Sequence, residues 1–147
     1  VVADLSFISL ATVLPSLYAV ADPQADWCCL VKPQFEAGPH HVARGGVVRD
    51  SAGWAAALDR VAAAAGALGL GVRAATVSPL PGPAGNIEFF LWLVPGPAGS
   101  EGSGRASASG RAGTEERGWP ATRERLLDEG RALRATVSAV ATGPFDP

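Results

Sequence analysis

The sequence predicts an α/β fold, and three observations predict it. Trp27–Lys32 and Ile87–Val94 are near-continuous apolar runs of strand length. The alanine-rich stretch from Ser51 to about Leu68 is too long for a strand and suits a helix. Helical segments separate the successive strands at 1–7, 27–32 and 72–78, the pattern of crossovers in a parallel sheet. Only the loop PLPGPAG joins the last two strands, which permits a hairpin with Ile87–Val94 antiparallel to its neighbour.

In chain order, Val1–Phe7 reads as the tail of a strand entering a loop. Ser9–Val20 holds a short helix with Pro15 in its first turn, where proline is tolerated. Asp22–Asp26 is a turn. Trp27–Lys32 looks like a parallel strand covered on both faces, and Pro33 stops it. Phe35–Asp50 is polar and glycine-containing and reads as one long loop. Ser51 caps the next helix, which Gly69 and Gly71 end. Val72–Ser78 and Ile87–Val94 are strands. Residues 95–118 are glycine, serine, alanine and arginine, the composition of a flexible linker. Thr122–Val140 has helical spacing, and a short tail follows to residue 147. The expected organisation is therefore a domain at 1–94, a linker at 95–118 and a terminal helix with its tail at 119–147.

Composition excludes several function classes. At 147 residues and a net charge of -2, the chain is no stand-alone basic nucleic-acid binder. No apolar run reaches the roughly 18–20 residues of a membrane span. The start has neither a signal-peptide pattern nor a methionine, which fits a fragment or an alternative start. Cys28 and Cys29 are adjacent on a strand, so they point to opposite faces and read as two buried thiols. His40 and His41 have no further ligand at metal-site spacing, so no metal is expected. Arginines at 105, 111, 117, 123, 125, 131 and 134 are interspersed with acids, so they read as a solvated linker and helix face.

Topology brings three charged residues together. Ligands of parallel sheets gather at the carboxyl ends of the strands. Asp4 and Lys32 lie at two such ends, and an antiparallel last strand starts at the same edge beside Glu88.

Four ordered blocks then carry a resemblance: DLSFISL at 4–10, LVKPQFEAG at 30–38, GGVVRD at 45–50 and SPLPGPAGNIEFFLWL at 78–93. Over residues 1 to about 94 the chain resembles the carboxyl-terminal half of the TlyA or hemolysin A family of ribosomal RNA 2′-O-methyltransferases, related to the FtsJ type. The resemblance implies the second half of a Rossmann-like methyltransferase sheet that uses S-adenosylmethionine. It implies ribosomal RNA or ribosomal subunits as partners, a cytidine ribose as target and a cytoplasmic setting. The family's lysine–aspartate–lysine–glutamate tetrad maps onto Asp4, Lys32 and Glu88 as catalytic residues, with Asp4 also facing the cofactor. Its first lysine, its glycine-rich cofactor loop and its S4-type domain have no counterpart in this sequence. The chain alone is therefore expected to be inactive and to lack measurable cofactor affinity.

The residue types suit that chemistry. Transfer to a ribose hydroxyl needs in-line placement, removal of a proton and exclusion of water. A lysine does base work when it is desolvated or has a cationic neighbour, and carboxylates oppose it. The end of a buried strand supplies the first condition at Lys32. Asp4 and Glu88 would orient the lysine and the ribose. Pro33, Gln34, Phe35 and Glu36 would form the pocket rim, with Phe35 packing against a base or serving the fold itself. Arg44 and Arg49, flanking the conformational glycines Gly45 and Gly46, would meet RNA phosphates or belong to a solvated loop. Asn86 would bind substrate or hold the turn before the last strand. The rival class is a non-catalytic interaction or RNA-binding fragment that self-associates through an exposed sheet edge. Nothing in the sequence looks membrane-lytic.

Overall fold

The computed structural model of the chain describes residues 1–96 and 119–141. Most of the expected linker and the end of the tail, with Arg105, Arg111 and Arg117, lie outside the described residues. The elements are β1 (Val2–Ala3), α1 (Leu10–Tyr18), β2 (Trp27–Val31), α2 (Pro33–Glu36), β3 (Val42–Ala43) and β4 (Val47–Val48). They continue with α3 (Ser51–Ala67), β5 (Leu70–Val77), β6 (Phe89–Pro95) and α4 (Trp119–Ala141).

The main sheet has the order β1-β2-β6-β5. β1 and β2 are parallel, and β6 is antiparallel to both β2 and β5. The expected α/β class and antiparallel last strand are thus present, with β6 inserted between two earlier strands. The register of β5 shifts between Val72 and Ala74, leaving Arg73 as the extra residue of a bulge.

Burial alternates along the two inner strands. Trp27, Cys29 and Val31 are buried on β2, as are Phe89, Leu91 and Leu93 on β6. These side chains share one core with Leu14 of α1, Trp54 and Leu58 of α3, and Leu126 of α4. Cys28 and Trp92, paired in register, face the other way and are exposed. Two expectations are corrected here. β2 is covered on one face by the described residues: Cys28 and Leu30 alternate with the buried Trp27, Cys29 and Val31, Cys28 exposed and Leu30 half-buried. Only Cys29 of the cysteine pair is buried, and burial pushes its thiol up to about 11.

Further corrections concern helix starts and the long loop. Ser9 caps α1 and accepts from Thr12 N, which places Pro15 in the second turn rather than the first. Proline there withholds the N–H that the Ala11 carbonyl would otherwise accept. Asp50, not Ser51, caps α3: its carboxylate accepts from Gly53 N at 2.7 Å from an extended backbone. The expected loop at 35–50 contains the end of α2, a 3-10 turn at Pro39–His41 and the β3–β4 hairpin. Hydrophobic periodicity is blind to two-residue strands. The hairpin turns through Gly45 and Gly46, whose φ values are 91° and 77°.

α4 starts at Trp119, three residues before the expected Thr122. Trp119 and Arg123 both bond Asp59 of α3, which fixes that first turn. At Gly130 an added Cβ would lie 3.1 Å from the Trp54 ring, so α4 crosses α3 closely.

The Gly53 N–H holds the Asp50 carboxyl below its ordinary value of 3.8, and His41 helps. A lowered folded value means that this stability is complete above pH 3.8 and disappears as pH falls through the folded value. Asp50→Ala is expected to cost about 1 kcal/mol at pH 7, the usual value of a lost N-cap. Asp50→Asn should keep most of the cap. Urea unfolding at pH 7 and pH 3 checks this, since the advantage of aspartate over asparagine should shrink at the lower pH.

Candidate active site at the sheet edge

The carboxyl ends of β1 and β2 and the start of β6 lie at one edge. Val31 pairs with Phe89, so Lys32 and Glu88 each stand one residue beyond the same antiparallel pair. Ala3 pairs with Cys29, which brings the loop after β1 to that edge. Lys32 Nζ lies 2.6 Å from Asp4 Oδ1 and donates to Ser6 Oγ at 3.0 Å. Two of the three ammonium donor positions are used in these contacts. The lysine side chain is 14% exposed and that of Asp4 63%. Water therefore screens the pair, and it contributes on the order of 1 kcal/mol or less to stability.

Glu88 is buried at the start of β6. Gln34 Nε2 donates to Glu88 Oε1 at 3.4 Å, and Gln34 Oε1 is buried without a hydrogen-bond partner. Gly82 lies against the same carboxylate: a Cβ there would stand 2.7 Å from Glu88 Oε1. The sequence places no special weight on Gly82, which sits among other turn residues. Its proximity to Glu88 appears only in the folded chain.

Phe7 was not singled out by the sequence either. It is 92% exposed and has φ 64°, the only positive value at a non-glycine residue among those described. Its ring is 5.7 Å from that of half-buried Phe35. A strained backbone holding an exposed aromatic beside a charged cluster is a mark of a functional loop. No glycine or asparagine announces it in the sequence.

Glu36, read as part of the rim, is 3% exposed. It accepts from Ser9 Oγ at 2.7 Å and from the Leu10 N–H. Burial pushes its carboxyl above the ordinary 4.5, and these two donors oppose the shift. The sign is opposite to that of Asp50: this contribution is present at low pH and disappears as pH rises through the folded value.

Asn86 is buried and fully engaged. Its Oδ1 accepts from Val48 N, and its Nδ2 donates to the Gly46 carbonyl, each at 2.9 Å. It ties the β3–β4 hairpin to a position two residues before Glu88. The hairpin carries Arg44 at its exposed tip, and Arg49 follows β4, also exposed. The structure pairs Asp4 with Lys32 and, separately, Gln34 with Glu88 at the same sheet edge. It holds Asn86 on the hairpin and leaves both arginines at the surface.

Among the described residues, clefts lie at both ends of the sheet. One of about 530 Å³ is lined by Gln34, Phe35, Gly38, Pro39, Val42 and Arg60, and so adjoins the charged cluster. The other, about 340 Å³, lies between α3, Gly69 and Trp119 at the opposite end of the sheet. The titratable groups Asp4, Lys32 and Glu88 lie at the first end. Among the described residues there is no cluster able to hold a metal ion and no helix long and apolar enough to cross a membrane.

Comparison with known proteins identifies the family. The FtsJ-like methyltransferase family model matches residues 1–94. The chain belongs to the FtsJ-like methyltransferase family. It is 57% identical over 96 residues to the 16S/23S rRNA (cytidine-2′-O)-methyltransferase TlyA of Mycobacterium tuberculosis, covering 63% of this chain and 35% of that protein. It is 34% identical over 94 residues to hemolysin A of Brachyspira hyodysenteriae, covering 64% and 39%. A solved structure named "Putative hemolysin from Streptococcus thermophilus" aligns with TM-score 0.73 and 28% identity, over 93% of this chain and 44% of that one. The chain spans about a third of the length of these curated relatives.

Asn86→Ala is expected to cost about 2–3 kcal/mol, because it leaves a buried N–H and a buried carbonyl without partners. Urea unfolding reads the loss. A change within about 0.5 kcal/mol would mean that water replaces the amide.

Proposed function

We propose that this chain carries the Asp4–Lys32–Glu88 portion of a site that methylates the 2′-hydroxyl of a cytidine in ribosomal RNA. The observation that carries the reading is the 2.6 Å contact of Lys32 Nζ with Asp4, beside Glu88 on the adjoining strand. Family membership and the activity named for the M. tuberculosis relative support it.

S-adenosylmethionine, when bound, supplies a methyl group on a positively charged sulfur. The residues present suit its reacting end: the exposed carboxylate of Asp4 favours a nearby positive charge. Neither cleft described above is lined by Asp4. The remaining roles concern the chain itself. Lys32 Nζ donates to the ribose oxygen and steadies the charge that develops there as the hydroxyl proton leaves to solvent, the oxygen–carbon bond forms and the methyl–sulfur bond breaks. Asp4 and Ser6 fix the direction of Nζ. Glu88, set by Gln34 and Gly82, bonds the ribose from the neighbouring strand. Phe7 and Phe35 offer aromatic surface to an unstacked base. Arg44 and Arg49 contact phosphates.

In the protein that contains this chain, Lys32→Ala should reduce transfer of labelled methyl to ribosomal RNA by at least about 100-fold, with the circular dichroism spectrum unchanged. Transfer at the parent rate would sink the assignment. Gly82→Ala tests Glu88 separately. The clash is with the free end of a side chain, so stability should hardly change while the rate falls several-fold.

The outer face of the sheet favours a second reading, in which the chain acts as an interaction or RNA-binding fragment. Val2 is 82% and Trp92 45% exposed there. Together with the short edge strand β1, this face supports self-association, which sedimentation over a range of concentrations would detect as a rising mass.

A further inference from the structure

The loop after β1 and the segment after β2 meet at three successive points. Asp4 and Ser6 bond Lys32, Phe7 packs on Phe35, and Ser9 with Leu10 bonds Glu36. The three ties differ in strength. The first is half in water, and the second joins an exposed ring to a half-buried one. The third is buried, and its acceptor is a carboxylate. Charge-assisted hydrogen bonds away from water are the strongest of these contacts.

A buried carboxylate is a costly way to add stability alone, since an apolar side chain would fill the same space. What an apolar side chain would not do is fix the direction of the backbone at Leu10. That backbone emerges from Phe7, whose φ of 64° persists only if the chain on both sides is held. Lys32 holds the near side and Glu36 the far side. The Glu36 carbonyl also accepts from Arg60 Nη1 at 3.2 Å, which ties the anchor to α3.

We propose that Glu36 is a positioning residue of this site: its grip on Ser9 and Leu10 sets the loop so that Asp4, Ser6 and Phe7 stay against Lys32 and Phe35. The inference deepens the methyl-transfer reading and rests on it for its effect on rate.

Two variants test it. Glu36→Gln keeps the reach and an acceptor oxygen, so it should retain the loop. Glu36→Asp keeps the charge but withdraws the carboxylate by about one carbon–carbon bond, roughly 1.5 Å. It should release Ser9 and Leu10 while the sheet remains folded. On the 147-residue chain, proton–proton contacts between the Phe7 and Phe35 rings should persist in Glu36→Gln and vanish in Glu36→Asp. Amide exchange in β2 and β6 should stay unchanged in both. In the protein that contains this chain, Glu36→Asp should lower kcat about 10- to 100-fold, the scale of a misplacement near 1 Å, with KM for RNA within about 3-fold.

Retained ring contacts and retained kcat in Glu36→Asp would overturn the inference. So would equal losses in both variants that track only the fraction unfolded. If the ring contacts vanish as expected but the wild-type protein transfers no methyl, the methyl-transfer reading falls and the structural anchor stands. If the wild type transfers methyl and Glu36→Asp matches it, the reverse holds.

Discussion

β6 occupies the centre of the sheet, and its antiparallel pairing to both neighbours is the constraint on which the other features depend. Phe89, Leu91 and Leu93 supply fully buried side chains beneath α3. Full burial of each contributes on the order of 2 kcal/mol before entropy is counted. The same pairing sets the register that brings residue 88 beside residue 32. A slip by one residue would turn Trp92 inward and Leu91 outward, and would move Glu88 away from the edge. Core and site therefore rest on one set of backbone hydrogen bonds.

The side chains around that edge divide into two kinds. Lys32, Asp4, Ser6 and Phe7 reach solvent to different degrees and can meet a substrate. Glu36 and Asn86 are buried, and each holds a neighbouring segment in place. Asn86 holds the hairpin that presents Arg44, and Glu36 holds the loop that presents Asp4. Buried polar groups of this second kind are worth their desolvation only when every donor or acceptor is matched. Gln34 is the exception, because its Oε1 has no partner although its Nε2 reaches Glu88.

Much of this was legible in the sequence, for identifiable reasons. Strongly apolar runs located β2 and β6, and a charge closing or opening such a run marked Lys32 and Glu88. The loop between β5 and β6 announced the antiparallel turn. Lateral order was not legible, since nothing in the residues of β6 says that it inserts beside β2. The hairpin at 42–48 escaped because two-residue strands have no period. Phe7 escaped because its unusual backbone is imposed from both sides rather than by a permissive residue. Glu36 was visible as a rim position, but its burial depends on where α1 begins, and Ser9 decides that only in three dimensions.

The central position of β6 also orders events during synthesis. The strand that must lie in the middle is the last of the four to be made. Val31 and its partner Phe89 are separated by 58 positions. At about 5–20 residues per second, β2 waits roughly 3–12 s with one edge unpaired before its neighbour leaves the ribosome. For that interval one edge of Trp27–Val31 is open to pairing with another chain, a hazard set by the order of synthesis rather than by the finished fold.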